Sequence, residues 1–388
     1  MTLIPLPTSS PPTQEELQAR IARVQEKITS GGYDCYISFD PVNIYYLTNF
    51  ANYVHERPFI LIIPSRGTPT MLAPVLELTH VKTKARCPLE YLTYYEFPAP
   101  EGENWQDIYP TVFPKDPIVG IEGALPSAIR EATPGKTVID DLIDDVRLIK
   151  TDYEIARTVH ACNILNEAHR KLLEICRPEV LEVTIFSEVT ALMMGRIITD
   201  MPDANYIVTK PLAGVAPPST SHDPHFVLTP FIEMETGGPH VSGVGGQIDG
   251  YGAEIERSFF LDTVPDAARR PFEVMMEARG RAFELCVPGS VFSDIDREAR
   301  RIICDAGFGD HILHRTGHGL GITGHEAPYI ALGDDREVEP GMIVSIEPGI
   351  YIEGLGGFRH SDTVLITENG PVSLTKAPDR LEDLVLLD

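Results

Sequence analysis

Apolar residues recur with helical period at Leu17, Ile21, Val24 and Ile28, which places them on one face of a helix running from Thr13 to Gly31. Thr13 followed by Glu16 is a capping-box start, and Gly31-Gly32 is a stop. Short β-branched and aromatic runs follow at Tyr33–Phe39, Phe59–Pro64, Thr68–Leu72, Tyr91–Tyr95 and Ile118–Ile121, with a second helix over Pro126–Ala132. Strands and helices alternating in this way predict an α/β domain, residues 1–148. Asp140–Lys150 reads as the connection to a second domain, residues 149–388.

Thr151 and Glu154 form another capping box and open a long helix to about Arg177, with Ile155, Val159, Cys162, Leu165, Ala168 and Leu172 along its apolar line. Beyond it, long helices and strands mix without a βαβ rhythm, so the second domain reads as α+β. The pattern also repeats. Glu174-Ile175-Cys176-Arg177-Pro178 and Glu284-Leu285-Cys286-Val287-Pro288 each close a helix, and Ile185 and Ile295 each lie seven residues past the proline. The offset is 110 both times (284 − 174 and 295 − 185), which predicts two similar halves with a site at their seam.

Charge narrows the partners. With 57 acidic and 32 basic residues and a net charge of −25, no basic patch dominates the surface, which argues against nucleic acid. Six cysteines without a CxxC pair read as reduced thiols of a cytoplasmic protein. The N-terminal Met1-Thr2-Leu3-Ile4-Pro5 has no signal-peptide character, and no apolar run approaches the ~20 residues of a membrane span.

Candidate chemistry concentrates in Thr316-Gly317-His318-Gly319-Leu320-Gly321-Ile322-Thr323-Gly324-His325-Glu326, two histidines within a glycine-rich run that suits close backbone approach. Four other stretches accompany it: Ser221-His222-Asp223-Pro224-His225, Gly250 to Arg257 with Glu254 and Glu256, Glu339 to Gly349 with Glu347, and Arg359 to Leu365. Together they resemble the pita-bread superfamily of methionine aminopeptidase, prolidase, aminopeptidase P and creatinase, over nearly the whole chain. The resemblance implies a creatinase-type α/β N-terminal domain, an α+β pita-bread catalytic domain and a homodimer.

The metallopeptidases of that superfamily hold two divalent ions through two aspartates, a histidine and two glutamates. Carried onto this chain, the histidine is His318, the first glutamate Glu347 and the second aspartate Glu254, while the first aspartate falls on Gly243 and the last glutamate on Ser361. Glycine offers no ligand and serine a poor one. The expectation is therefore a site without cofactor, closest to creatinase, the branch that works without metal. If an ion is held, Glu254, His318 and Glu347 are its ligands, for one divalent ion such as Mn, Co or Zn.

In the creatinase-like picture His225 or His222 is the general acid/base, since imidazole titrates near neutrality, with Glu347 and Glu254 as catalytic carboxylates. His318, His325 and Glu256 bind substrate. Glu256 faces the same side of an extended strand as Glu254, and creatinase carries a glutamate there. The alternative for Glu256 is a salt bridge to Arg257 or Arg359. Arg57, in Glu56-Arg57-Pro58-Phe59, is similar to the creatinase arginine that reaches a substrate carboxylate across the dimer. Ala327-Pro328-Tyr329 stands where the second creatinase arginine would be, which counts against creatine itself.

The expected function is thus metal-independent, creatinase-like hydrolysis of a C–N bond in a small polar or zwitterionic molecule. The alternatives are an Xaa-Pro dipeptidase or aminopeptidase P-like metallopeptidase with a reduced metal site, acting on a dipeptide-sized substrate, and a non-catalytic binding module. Neither nucleic acid nor membrane is an expected partner.

Overall fold

The computed structural model describes residues 4–53, 56–96, 98–225 and 231–387; Met1–Leu3 of the N-terminal stretch lie outside them. The chain divides into two compact units, one of Ser10–Arg147 and one from Leu148 onward together with the segment up to Ser9.

The first unit contains helices α1 (Gln14–Ser30), α2 (Pro41–Thr48), α3 (Leu78–Lys84), α4 (Trp105–Ile108), α5 (Ser127–Ala132) and α6 (Leu142–Arg147). Its strands are β1 (Cys35–Ser38), β2 (Ile60–Pro64), β3 (Thr70–Pro74), β4 (Glu90–Tyr94), β5 (Ile118–Ile121) and β6 (Lys136–Ile139), in the sheet order β4-β3-β2-β1-β5-β6. Thr13 Oγ1 accepts the Glu16 N–H at the start of α1, and Leu17, Ile21, Val24 and Ile28 are buried along the predicted face. Asp140–Lys150 is more than the expected connection, because it holds α6, whose Leu142, Ile143 and Val146 are buried. Glu122, just past β5, ties the β1–α2 corner together. Its buried carboxylate accepts hydrogen bonds from Ser38 Oγ (2.6 Å), the Phe39 and Asp40 N–H groups (2.8 and 2.9 Å) and Asn43 Nδ2 (2.9 Å).

The second unit contains helices α7 (Asp152–Ile175), α8 (Glu182–Asp200), α9 (Asp266–Leu285) and α10 (Phe292–Asp305). Its strands are β7 (Lys210–Ala216), β8 (Gly237–Ile248), β9 (Tyr251–Leu261), β10 (Gly317–Gly319), β11 (Glu326–Ile330), β12 (Ile343–Ser345), β13 (Gly349–Ile352), β14 (Gly356–Arg359), β15 (Ser361–Thr367), β16 (Gly370–Ser373) and β17 (Val385–Leu386). The large sheet runs β11-β10-β12-β15-β9-β8-β7, with β16 on β15 and β17 on β9, while β13 and β14 pair separately. Two helix pairs, α7–α8 and α9–α10, bury Leu165, Leu172, Ile185, Met275, Phe292 and Ile295 in one core with Val244, Ile255 and Phe259 of the sheet. The repeat reappears in the helix boundaries. The ends of α7 and α9 (285 − 175) and the starts of α8 and α10 (292 − 182) are both offset by 110.

One hairpin carries most of the site. Strands β8 and β9 are joined by Asp249 (φ 48°) and Gly250 (φ 92°), two residues of positive φ that close a two-residue hairpin turn. The turn fixes the register, placing Gly245 opposite Glu254 and Gly243 opposite Glu256.

Replacing Glu122 with Ala leaves four donors without their acceptor, two of them backbone N–H groups. At ~1–3 kcal/mol for each buried group left unsatisfied, the first unit should lose at least about 3 kcal/mol in urea denaturation, and Glu122→Gln, which keeps an acceptor oxygen, clearly less.

Candidate active site

Four strands place the functional side chains. Glu254 and Glu256 point from β9 to one side of the sheet, as the two-residue strand period requires. On β15, Ser361 is the direct partner of Glu256 and donates its hydroxyl to Glu254 Oε1 at 2.7 Å. Their neighbours Arg257 and Asp362 face the other way and pair at 3.0 Å within the core. His318 stands on β10, between β11 and β12, and Glu347 follows β12.

The glycine run does the work its composition suggested. A Cβ on Gly317 would overlap the Ser345 carbonyl oxygen, and one on Gly319 would overlap the Ala327 carbonyl. The loop beyond is held by a contact the sequence did not suggest. Lys150 Nζ, almost completely buried, donates to Glu326 Oε1 at 3.0 Å, while Glu326 Oε2 accepts from Thr323 Oγ1 at 2.9 Å. This fixes the residue next to His325, whose ring lies 4.0 Å, centre to centre, from that of His318.

The charges are crowded and mostly out of water. His318 Nε2 lies 3.0 Å from Glu347 Oε1 and 3.6 Å from Glu254 Oε1, and its Nδ1 meets the Gly319 carbonyl at 3.1 Å. Nδ1 therefore carries a proton and Nε2 is aimed at the carboxylates. Burial disfavours charge on His318, but Glu254 and Glu347 outweigh it and raise its pKa to about 9. Burial works against the Glu347 carboxylate as well, yet the hydrogen bond and charge of His318 bring it down to about 2. Burial raises Glu254, offset in part by His318. It also lifts Glu256 to about 7, against the pull of Arg359. Arg359 binds Glu256 through both carboxylate oxygens, at 2.7 Å and 2.5 Å, and donates to the Pro224 carbonyl and the Tyr351 hydroxyl. Burial and the positive charge of His318 lower His325 to about 4.

These groups surround a cavity of about 230 Å³ lined by Pro224, His225, Glu254, Glu256, His314, Arg315, His318, His325, Glu347 and Arg359. Most of the residues singled out in the sequence thus converge. His225 is exposed and lines the cavity, whereas His222 does not. Arg57 belongs to the first unit, where it pairs with Glu96 at 2.6 Å and Glu56 at 3.4 Å. Glu256 adopts the ion-pair alternative, with Arg359 as its partner. Sequence reasoning missed Arg315 and the lining role of His314. Their position just before the glycine run was the available signal.

The donor set decides what the cavity can hold. Among the described residues, Glu254, His318 and His325 bring one ligand atom each within 4.8 Å of one another, two nitrogens and an oxygen suited to a divalent transition metal. Glu347 adjoins the same His318 nitrogen. Among the described residues, a second ion finds no comparable set. Gly243 has no donor, Ser361 Oγ is engaged with Glu254, and Arg359 occupies both oxygens of Glu256. The residues fit one ion, with His325 replacing Glu347 in the expected trio.

Comparison with known proteins agrees with a metal. Residues 156–368 match metallopeptidase family M24, and residues 20–149 match the creatinase/prolidase N-terminal domain. The Xaa-Pro dipeptidase of Pyrococcus furiosus is 29% identical over 371 residues, covering 94% of this chain and 100% of its own. The crystal structure of the prolidase from Pyrococcus horikoshii superimposes with a TM-score of 0.81 at 26% identity, covering 94% of this chain and 99% of that one. Dipeptidase PepE from Mycobacterium ulcerans, at 22% identity and a TM-score of 0.83 over 98% and 100% of the two chains, shares the fold. The expectation of a cofactor-free site is thereby overturned, because the match is to metallopeptidases and the donors for an ion are in place. The relatives carry the peptidase alternative, not the creatinase-like one. What the comparisons support is a pita-bread hydrolase of peptide-type C–N bonds; the chain belongs to metallopeptidase family M24, with a creatinase/prolidase-type N-terminal domain.

Proposed function

We propose that the chain is an Xaa-Pro dipeptidase with a single-ion centre. The observation that carries this is the convergence of Glu254, His318 and His325 in a dipeptide-sized cavity, with Glu347 and His225 on its walls. Glu254, His318 and His325 would hold a divalent ion, which would supply Lewis acidity to the scissile peptide. Glu347, on the cavity wall beside His318, accepts the proton of the attacking water. His225, exposed at the cavity wall, delivers a proton to the leaving proline nitrogen. Arg315, on the same wall, takes the substrate's carboxylate. Arg359 neutralises Glu256, so the cavity does not hold a third uncompensated carboxylate beside Glu254 and Glu347. The Lys150–Glu326 pair keeps the His325 loop in place.

Purified protein supplied with Mn²⁺ should hydrolyse Xaa-Pro dipeptides and stop when a chelator is added. His225→Ala should lower kcat by roughly 10²–10⁴-fold, the usual range for a general acid or base. Hydrolysis of creatine-like substrates with no response to metal or chelator would contradict the proposal. Isothermal titration gives an independent check on the ligands: His318→Ala should weaken Mn²⁺ binding more than roughly a hundredfold, beyond the 10–100-fold typical of residues that only support a ligand.

A further inference from the structure

One row of the sheet joins two of the residues that would hold the ion. Strands β10, β12, β15 and β9 are neighbours in that order. Ser345 on β12 and Thr363 on β15 are direct partners. The β10–β12 pairing is Gly319 with Val344, and one step along that register His318 faces Ser345. The β15–β9 pairing covers Ser361–Glu256 and Asp362–Ile255, and one step further Thr363 faces Glu254. His318, Ser345, Thr363 and Glu254 therefore stand in line across the sheet, with two hydroxyls between the two donors. At both ends of the line a hydroxyl takes the place of the backbone ladder. Ser345 Oγ accepts the His318 N–H at 3.0 Å and donates to Glu347 Oε1 at 3.3 Å. Thr363 Oγ1 accepts the Glu254 N–H at 2.9 Å and donates to the Glu254 carbonyl at 3.0 Å. Both residues are completely buried, and neither lines the cavity.

We propose that Ser345 and Thr363 are positioning residues for the ion, two buried hydroxyls that set the separation of the His318 and Glu254 donors; the proposal rests on the single-ion centre above. Neither touches substrate. Each acts through the backbone of the residue it holds, because a buried N–H or C=O must find a partner and here the partner is a hydroxyl of fixed reach. The two strands that carry the donors are thus spaced from β12 and β15 by side-chain oxygens, and the donor atoms, His318 Nε2 and Glu254 Oε1, come to rest 3.6 Å apart. Strand β15 holds Glu254 twice. Thr363 takes its backbone, and Ser361, two residues earlier, donates to its carboxylate at 2.7 Å. Ser345 likewise ties His318 to Glu347, the carboxylate beside the same histidine nitrogen. An ion site needs its ligands held to a fraction of an ångström, and buried groups with no freedom of their own supply that.

Isothermal titration of the full chain with Mn²⁺ tests this, with melting curves recorded without metal to separate loss of fold from loss of affinity. Thr363→Val keeps the branched shape and removes the hydroxyl, which strands both backbone groups of Glu254; Ser345→Ala strands the His318 N–H. Each should weaken Mn²⁺ binding by roughly 10–100-fold, the range for groups that hold a ligand in place. Thr363→Ser, which keeps the hydroxyl, should bind Mn²⁺ like the wild type. Wild-type affinity in either folded variant overturns the role of that hydroxyl. Equal weakening in Thr363→Ser and Thr363→Val also overturns it for Thr363, because packing and not the hydroxyl would then be what matters. If Thr363→Val does not fold, Ser345→Ala decides the matter. Failure of the wild type itself to bind Mn²⁺ overturns the single-ion centre too, whereas wild-type binding with unaffected variants leaves that centre standing.

Discussion

The arrangement depends on the register of one hairpin. Two residues of positive φ, Asp249 and Gly250, close β8 onto β9, and from that turn the cross-strand pairs are counted as far as His240 and Phe259. A slip of one residue would send Glu254 and Glu256 into the helix-covered core and bring Arg257 to the site. The alternation also sorts the charges. On the core side Arg257, Arg279 and Thr375 bind Asp362, while on the open side Arg359 binds Glu256 and Ser361 binds Glu254. Strand β15 contributes to both sides, with Asp362 to the core and Ser361 to the site.

The second constraint is electrostatic. Glu254, Glu256 and Glu347 stand in one small, largely dry space, and carboxylates so placed require positive charge nearby. Arg359 provides it for Glu256. For Glu254 and Glu347 it is provided at the Nε2 of His318, whose raised pKa registers how strongly the pair draws a cation to that point. A divalent ion held by Glu254, His318 and His325, as proposed, would answer the same demand and add Lewis acidity.

Local signals in the sequence carried over well. The Thr13 and Thr151 caps start α1 and α7, and the 110-residue repeat reappears in the matched helix pairs. Helix α2 was missed although Asp40 caps it and Pro41 opens it, because six of its eight residues are buried and no amphipathic period shows. At the site, Glu254, Glu256, Glu347, His318, His325 and His225 were all visible as residues, but their partnerships were not. Lys150 and Glu326 are 176 positions apart, and nothing local joins them. The metal was misjudged for a related reason. Gly243 and Ser361 count as lost ligands when read position by position, whereas the donors that could hold an ion are gathered in space and include His325, which the sequence reading gives to substrate.

The central claim is a centre built for one ion. Elemental analysis by inductively coupled plasma mass spectrometry, after Mn²⁺ loading and removal of free metal, measures it directly. The account predicts one divalent ion per chain in the wild type. Two ions per chain, or none, would contradict it.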